Sequence, residues 1–169
     1  GYKPAIFGRI MIGYTIFNLL GTLSVWGLNT ALAYYLPKED GRSEEYRIIL
    51  AATILGLIIS IVVTGITILF NRPLSGIIFG NTELSEFIIP FLIGIPIYVC
   101  LSMVTGVFRG YESVRLKAIS KDMFYNLAQV ILIVVFIYFG IDGRFIGFVY
   151  VLSGAGTVVL AILLLYTYY

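Results

Sequence analysis

The sequence predicts an all-α fold, a polytopic membrane helix bundle, and three observations carry that prediction. Of its 169 residues 60% are hydrophobic and 12% charged, with a mean hydropathy of +1.01, whereas soluble domains run at roughly half apolar and a quarter charged. The few charges are confined to short segments, leaving five uncharged runs at 10–36, 48–70, 87–108, 123–141 and 145–169. None of these runs alternates polar with apolar residues, so each reads as a helix rather than a barrel strand. A soluble globular domain is excluded, and so is disorder, which requires low hydrophobicity and high net charge.

The run 10–36 is long enough to cross a hydrocarbon core of about 30 Å as one tilted helix, and Pro37 stops it. Residues 37–47 mix Lys38, Arg42 and Arg47 with Glu39, Asp40, Glu44 and Glu45. That segment reads as a turn at Gly41 and a new helix capped by Ser43, with Glu44 and Glu45 in its first turn. The second run spaces Gly56, Ser60 and Thr64 four residues apart, a small-residue pattern that lets helices approach. Gly106 with Gly110, and Gly143 with Gly147, repeat that spacing, and Ser153 to Gly156 forms a small-residue notch. In the third run Pro90, Gly94 and Pro96 predict a kink or break in its first half. The fourth and fifth runs are separated by Asp142, Gly143 and Arg144 alone, which requires a tight turn and an antiparallel hairpin.

Orientation follows from the positive charges beside the spans. Lys38, Arg42, Arg47, Arg109, Arg115, Lys117 and Lys121 fall on one side, against Lys3, Arg9, Arg72 and Arg144 on the other. Loops 37–47 and 109–122 are therefore expected in the cytoplasm, with Gly1 outside and Tyr169 inside. An external start with no preceding span predicts a missing helix before Gly1, so the chain is expected to be part of a longer protein. Tyr34, Tyr35, Phe108, Tyr111, Phe124, Tyr125, Tyr166, Tyr168 and Tyr169 cluster near the ends of the spans, as an interfacial aromatic belt would.

A net charge of +2 without a long basic run gives no reason to expect a nucleic-acid partner. With no histidine and a single cysteine, Cys100, His or Cys metal sites and an internal disulfide are excluded, and no cofactor is expected. Nucleophile-elbow and phosphate-loop patterns are missing as well, so the chain is not expected to be an enzyme. No Asp, Glu, Lys or Arg lies inside the five runs, which counts against ion coupling through an intramembrane carboxylate. The polar candidates within the runs are Asn18, Asn29, Asn126 and Gln129. Amides at that depth either bind helices together or line a polar path. Arg109 and Arg115 are candidates to meet a phosphate, whose oxygens a guanidinium matches in pairs.

Four stretches in order carry a family resemblance: Gly27 to Pro37 with Gly41-Arg42, Pro73 to Gly80, Phe108-Arg109-Gly110-Tyr111-Glu112, and Gly140 to Gly147. Together they resemble polysaccharide flippases of the MATE-like, or multidrug-oligosaccharidyl-lipid-polysaccharide, superfamily. The chain departs from those relatives at Asn29, where they often have Asp, and at Tyr34, where they often have Arg. The resemblance implies two six-helix lobes around a central cavity, with the five runs matching helices two to six of the first lobe. It implies transport of a polyprenyl-pyrophosphate-linked oligosaccharide across the cell (cytoplasmic) membrane by alternating access, for polysaccharide or glycan biosynthesis. Its partners would be that lipid-linked oligosaccharide, membrane lipids and the second lobe of the same polypeptide. In that setting Arg109 and Arg115 would receive the pyrophosphate, while Asn18, Asn29, Asn126 and Gln129 would line the hydrophilic side. The alternatives are a multidrug or cation antiporter of the same superfamily and a non-transporting membrane assembly subunit.

Overall fold

The computed structural model describes residues 4–38, 41–79, 84–111 and 118–168, and these contain seven α-helices and no strand. They are α1 (Pro4–Val25), α2 (Leu28–Tyr35), α3 (Arg42–Phe79), α4 (Leu84–Ile93), α5 (Ile95–Gly110), α6 (Asn126–Tyr138) and α7 (Gly147–Tyr168). Short 3₁₀ turns occupy Leu36–Lys38 and Gly143–Ile146, and a π-helical stretch, Ala118–Tyr125, runs directly into α6. Four stretches are long and apolar enough to cross a membrane, Ile6–Val25, Ser43–Pro73, Leu84–Gly110 and Gly143–Thr167, and the apolar helix Met123–Tyr138 is shorter.

The expected single helix over 10–36 is corrected to two. Trp26 at φ 40° and Gly27 at φ 76° both take left-handed backbone, which ends α1. The Gly27 carbonyl then accepts the N–H groups of Thr30 and Ala31 to start α2. Glycine takes that conformation without a Cβ clash, whereas for Trp26 it is strained.

The expected Ser43 cap is also corrected. The carbonyl of Gly41 accepts the N–H groups of Glu44 and Glu45, so α3 begins at Arg42 and Ser43 lies exposed in its first turn. Glu44 and Glu45 do occupy that turn, where the helix dipole favours negative charge. At its other end α3 continues through Arg72 and Pro73 to Phe79, residues that the charge pattern assigned to a loop. Tertiary hydrogen bonds explain the extension: buried Asn71 donates from Nδ2 to the Ser85 carbonyl at 3.0 Å, and Ser75 Oγ donates to Asn71 Oδ1 at 3.4 Å.

The third run breaks where its sequence predicts, at Gly94 between Pro90 and Pro96, with the Gly94 N–H turned onto the Phe91 carbonyl. The two resulting helices are the hub of the bundle, packed by α1, α2, α3 and α7. One core cluster joins Phe87, Ile88, Phe91, Leu92 and Ile95 to Ile10 and Phe17 of α1, and a second joins Val99, Met103 and Val107 to Val25, Leu32 and Leu36. Backbones touch at two glycines. A Cβ on Gly106 would lie 2.7 Å from the Asn29 carbonyl oxygen, and one on Gly147 would lie 2.6 Å from the Phe91 nitrogen.

The hairpin of α6 and α7 forms as its short connection requires. Gly140 turns the chain at φ 63°, and the Asp142 carboxylate accepts the Arg144 backbone N–H at 3.1 Å. Helix α6 packs on α7 and buries no residue of its own.

Candidate functional site

Charged and polar groups mark the two ends of the α4–α5 hub. At one end Arg144 Nη1 donates to Glu86 Oε2 at 2.6 Å and Arg144 Nε to Asp142 Oδ2 at 2.9 Å. Arg9 lies over the Phe87 ring at 5.6 Å, and together these groups line a recess of about 390 Å³. The backbone N–H of Arg144, helped by its guanidinium, holds the Asp142 carboxyl below the usual carboxylate range. At the other end the Tyr111 hydroxyl donates to Glu45 Oε2 at 2.6 Å, the Lys38 ammonium lies 3.3 Å from the Tyr34 ring centre, and Arg109 is exposed in the last turn of α5. At 1.5 Å per residue Glu86 and Arg109 lie about 35 Å apart along the hub, close to a bilayer core of about 30 Å.

Between these ends two features carry polar side chains. The first is the outer face of α1, where Thr15, Asn18, Leu19, Thr22, Leu23 and Trp26 line an open groove of about 600 Å³. Thr15 Oγ1 donates to the Met11 carbonyl at 2.8 Å and Asn18 Nδ2 to the Tyr14 carbonyl at 3.0 Å. Each thus uses one donor on its own helix, and the Asn18 amide oxygen keeps its capacity as an acceptor.

The second feature is a group of tyrosines contributed by four segments. The Tyr14 ring of α1 lies 5.2 Å from that of Tyr150 in α7, and Phe17 lies 5.5 Å from Tyr98 of α5 and 5.7 Å from Tyr150. Tyr125, at the end of the π-helical stretch, is close enough to Tyr14, Tyr98 and Tyr150 to interact with each electrostatically, and it is hydrogen-bonded with Gln129. Tyr125, which precedes α6 where an interfacial residue was expected, also interacts with this cluster. Tyrosines in the interior of uncharged runs, at 14, 98 and 150, were the available sequence signal. Only the fold shows that they meet.

Of the six residues singled out from sequence, the five described ones do not form one site. Asn18 lies in the α1 groove and Gln129 joins the tyrosine cluster. Asn29 donates from Nδ2 to Ser102 Oγ at 3.2 Å and ties α2 to α5. Asn126 is exposed at the first turn of α6, Arg109 is exposed near the end of α5, and Arg115 lies outside the described residues. Among the described residues no group of three or more His, Cys, Asp or Glu side chains is placed to hold a metal ion.

Against this geometry, the family model described as "Polysaccharide biosynthesis protein" matches residues 3–169. No curated protein and no solved structure matches the chain. With helices long and apolar enough to cross a membrane several times and a family match over nearly all its length, the chain is a multi-pass membrane protein that belongs to the polysaccharide biosynthesis protein family.

Proposed function

We propose that this chain is a lobe of a flippase that carries polyprenyl-pyrophosphate-linked oligosaccharide across the cytoplasmic membrane by alternating access. One observation carries the reading: within the span Ile6–Val25 the outward face of α1 sets three polar side chains, Thr15, Asn18 and Thr22, among Leu19, Leu23 and Trp26 along an open groove. Hydrocarbon offers such groups no hydrogen bonds, so polar side chains on the outer surface of a membrane lobe belong against water, a polar ligand or another lobe. A second lobe facing α1 would enclose a path along which sugar hydroxyls exchange hydrogen bonds with these side chains, while the lipid tail stays in the bilayer. Family membership in polysaccharide biosynthesis supports that cargo.

The charge bias sets the direction. Arg109, together with Arg115, lies on the side read as cytoplasmic, where it would receive the pyrophosphate as the substrate enters. No bond is made or broken in this scheme, and the work of the lobe is differential binding in its two orientations.

The test is complementation. Full-length protein should restore surface glycan in cells lacking their own flippase, and failure at normal expression would overturn the reading. Arg109→Ala should lower transport by about tenfold, the size expected for a lost charge-assisted hydrogen bond, at an unchanged protein level in the membrane. Equal loss of transport and of membrane insertion would assign Arg109 to topology instead.

A further inference from the structure

We propose that Trp26, at the break between α1 and α2, is a stacking platform for a sugar ring of the transported glycan, with Thr22 and Asn18 as its polar neighbours. The inference rests on the flippase reading above and adds to it the residue that grips the sugar.

Backbone strain is the first argument. Trp26 takes φ 40°, which is an outlier for a bulky side chain. Gly27, at φ 76°, already supplies the carbonyl that starts α2, and a glycine at position 26 would take the same backbone without a Cβ clash. Packing does not offset the strain, because the Trp26 side chain is 74% exposed. Residues held in such conformations cluster at ligand clamps and switch regions.

Placement is the second. Thr15, Asn18, Thr22 and Trp26 line one open groove of about 600 Å³, their spacing of three and four residues setting them along one helix face. Val25 packs with Val99 and Met103, and Asn29 bonds Ser102 at 3.2 Å. Trp26 lies between Val25 and Asn29 in the chain and is level with that part of α5, about 10–15 Å inward of Arg109 at 1.5 Å per residue. An exposed tryptophan that serves as a membrane anchor sits farther out, at the headgroups. Toward lipid alone the hydroxyls and the amide beside this indole would find no partner.

Chemistry is the third. An indole offers a broad electron-rich face and one N–H donor. A pyranose presents the complement to both, a face of C–H groups and a rim of hydroxyls that donate and accept. With that face on Trp26, the rim comes within one turn of Thr22. The next sugar along the groove would approach Asn18, about two turns further on, whose amide oxygen accepts. Because Arg109 would hold the pyrophosphate at the charged end, the platform lies where the sugars beyond it would pass.

Binding by the purified full-length protein tests this with two probes, undecaprenyl pyrophosphate and the same lipid bearing a trisaccharide of N-acetylhexosamines. The sugar-bearing lipid should bind the parent more tightly. Trp26→Gly, which removes ring and strain together, and Trp26→Leu, which keeps apolar bulk without a π-face, should each weaken it by about three- to tenfold and leave the bare lipid unaffected. Trp26→Phe should keep more of the preference than either. Trp26→Gly should melt no lower than the parent, since the strain it relieves opposes the entropy glycine adds. Trp26 is the single tryptophan of these 169 residues, so the emission lost in Trp26→Leu isolates its signal, which the sugar-bearing lipid should shift and the bare lipid should not. If the parent prefers the sugar-bearing lipid and both Trp26→Gly and Trp26→Leu keep that preference, the platform is overturned while the flippase reading stands. Equal loss of both lipids with a lower melting point would also overturn it, by assigning Trp26 to packing against another part of the protein. If the parent binds both lipids equally the platform falls, and if it binds neither the substrate reading falls with it.

Discussion

Helices α4–α5 and helix α6 are apolar to a similar eye, yet they live in different surroundings. The hub buries Phe87, Ile88, Phe91, Leu92, Ile95, Val99 and Met103, whereas α6 exposes Leu127, Val130, Ile131, Val134 and Ile137. In water such a difference would appear as an amphipathic stripe, because one face must meet solvent. In a bilayer both protein and lipid accept apolar side chains, so hydrophobicity no longer marks the inside. What separates the two regions is shape. Gly13 of α1 receives the Phe91 ring, Gly21 receives Tyr98, Gly56 of α3 receives Val99, and Gly147 of α7 admits the backbone at Phe91. Helix α6 contains no glycine, and at Gly156 of α7 an added Cβ would meet Phe124 of the π-helical stretch at an ordinary 3.9 Å.

The largest effect that tests this contrast is loss of a hub ring. Phe91 is 1% exposed, and Phe91→Ala should cost about 3 kcal/mol, the low end of the range for core aromatics. The unfolded reference in lipid is already apolar, so the lost dispersion contacts and the cavity remain as the main penalty. Ile131→Ala on α6, where the side chain is 53% exposed, should stay within about 0.5 kcal/mol. Unfolding titrations of the full-length protein in detergent measure both. A comparable loss at Ile131 would show that α6 is covered by protein and would break the comparison.

Next in size is a single added methyl group. Gly147→Ala drives a Cβ to 2.6 Å from the Phe91 nitrogen, a backbone atom that cannot step aside, and overpacking of this kind costs about 1–3 kcal/mol. The control is Gly65→Ala in α3, where a Cβ meets nothing within 4 Å. There the higher helix propensity of alanine should leave stability unchanged or raise it by up to about 1 kcal/mol. Equal melting of the two variants would show that glycine notches do not distinguish hub from rim.

A smaller step concerns the polar ties of the hub. Asn71→Ala removes the bond to the Ser85 carbonyl that pins α3 to α4, and should cost about 0.6–1.7 kcal/mol, the span found for hydrogen bonds between membrane helices. Thr167→Ala, where the exposed hydroxyl donates within its own helix to the Leu164 carbonyl, should change stability less. Thermal melting of the pair decides it, and a larger loss at Thr167 would show that ties within a helix outweigh those between helices.

These contrasts show how far the sequence could be read. Charge gaps located the helical runs, and Pro90, Gly94 and Pro96 announced the break in the hub, because both are local signals with local causes. The break at Trp26–Gly27 was hidden, since a lone glycine in a membrane run usually continues the helix and only the packing of α2 on α5 shows why this one does not. The extension of α3 past Pro73 was hidden for the same reason, its anchor being Ser85 on another helix. At the candidate site Asn18 was visible as a polar residue in an apolar run. The meeting of Tyr14, Tyr98, Tyr125 and Tyr150 was not, because it depends on four segments distant in sequence.

The smallest effect expected is electrostatic and lies at the hairpin turn, where rim joins hub. Arg144 bridges Asp142 of the turn to Glu86 of α4 in the open. The Asp142 carboxyl is held below its ordinary pKa, first by the Arg144 backbone N–H and then by the guanidinium. A carboxyl whose folded pKa is depressed contributes stability that is fully present above the unfolded value, about 3.9 for Asp. That contribution is lost as the pH falls through the folded value. The parent should therefore melt slightly above Asp142→Asn at pH 7, and the gap should close below about pH 4. Solvent and salt screen exposed pairs, so added salt should narrow the gap at pH 7 as well. A gap that persists unchanged at pH 3 would mean that the side chain acts through the cap it makes on the Gly143–Ile146 turn, which asparagine fails to reproduce, rather than through its charge.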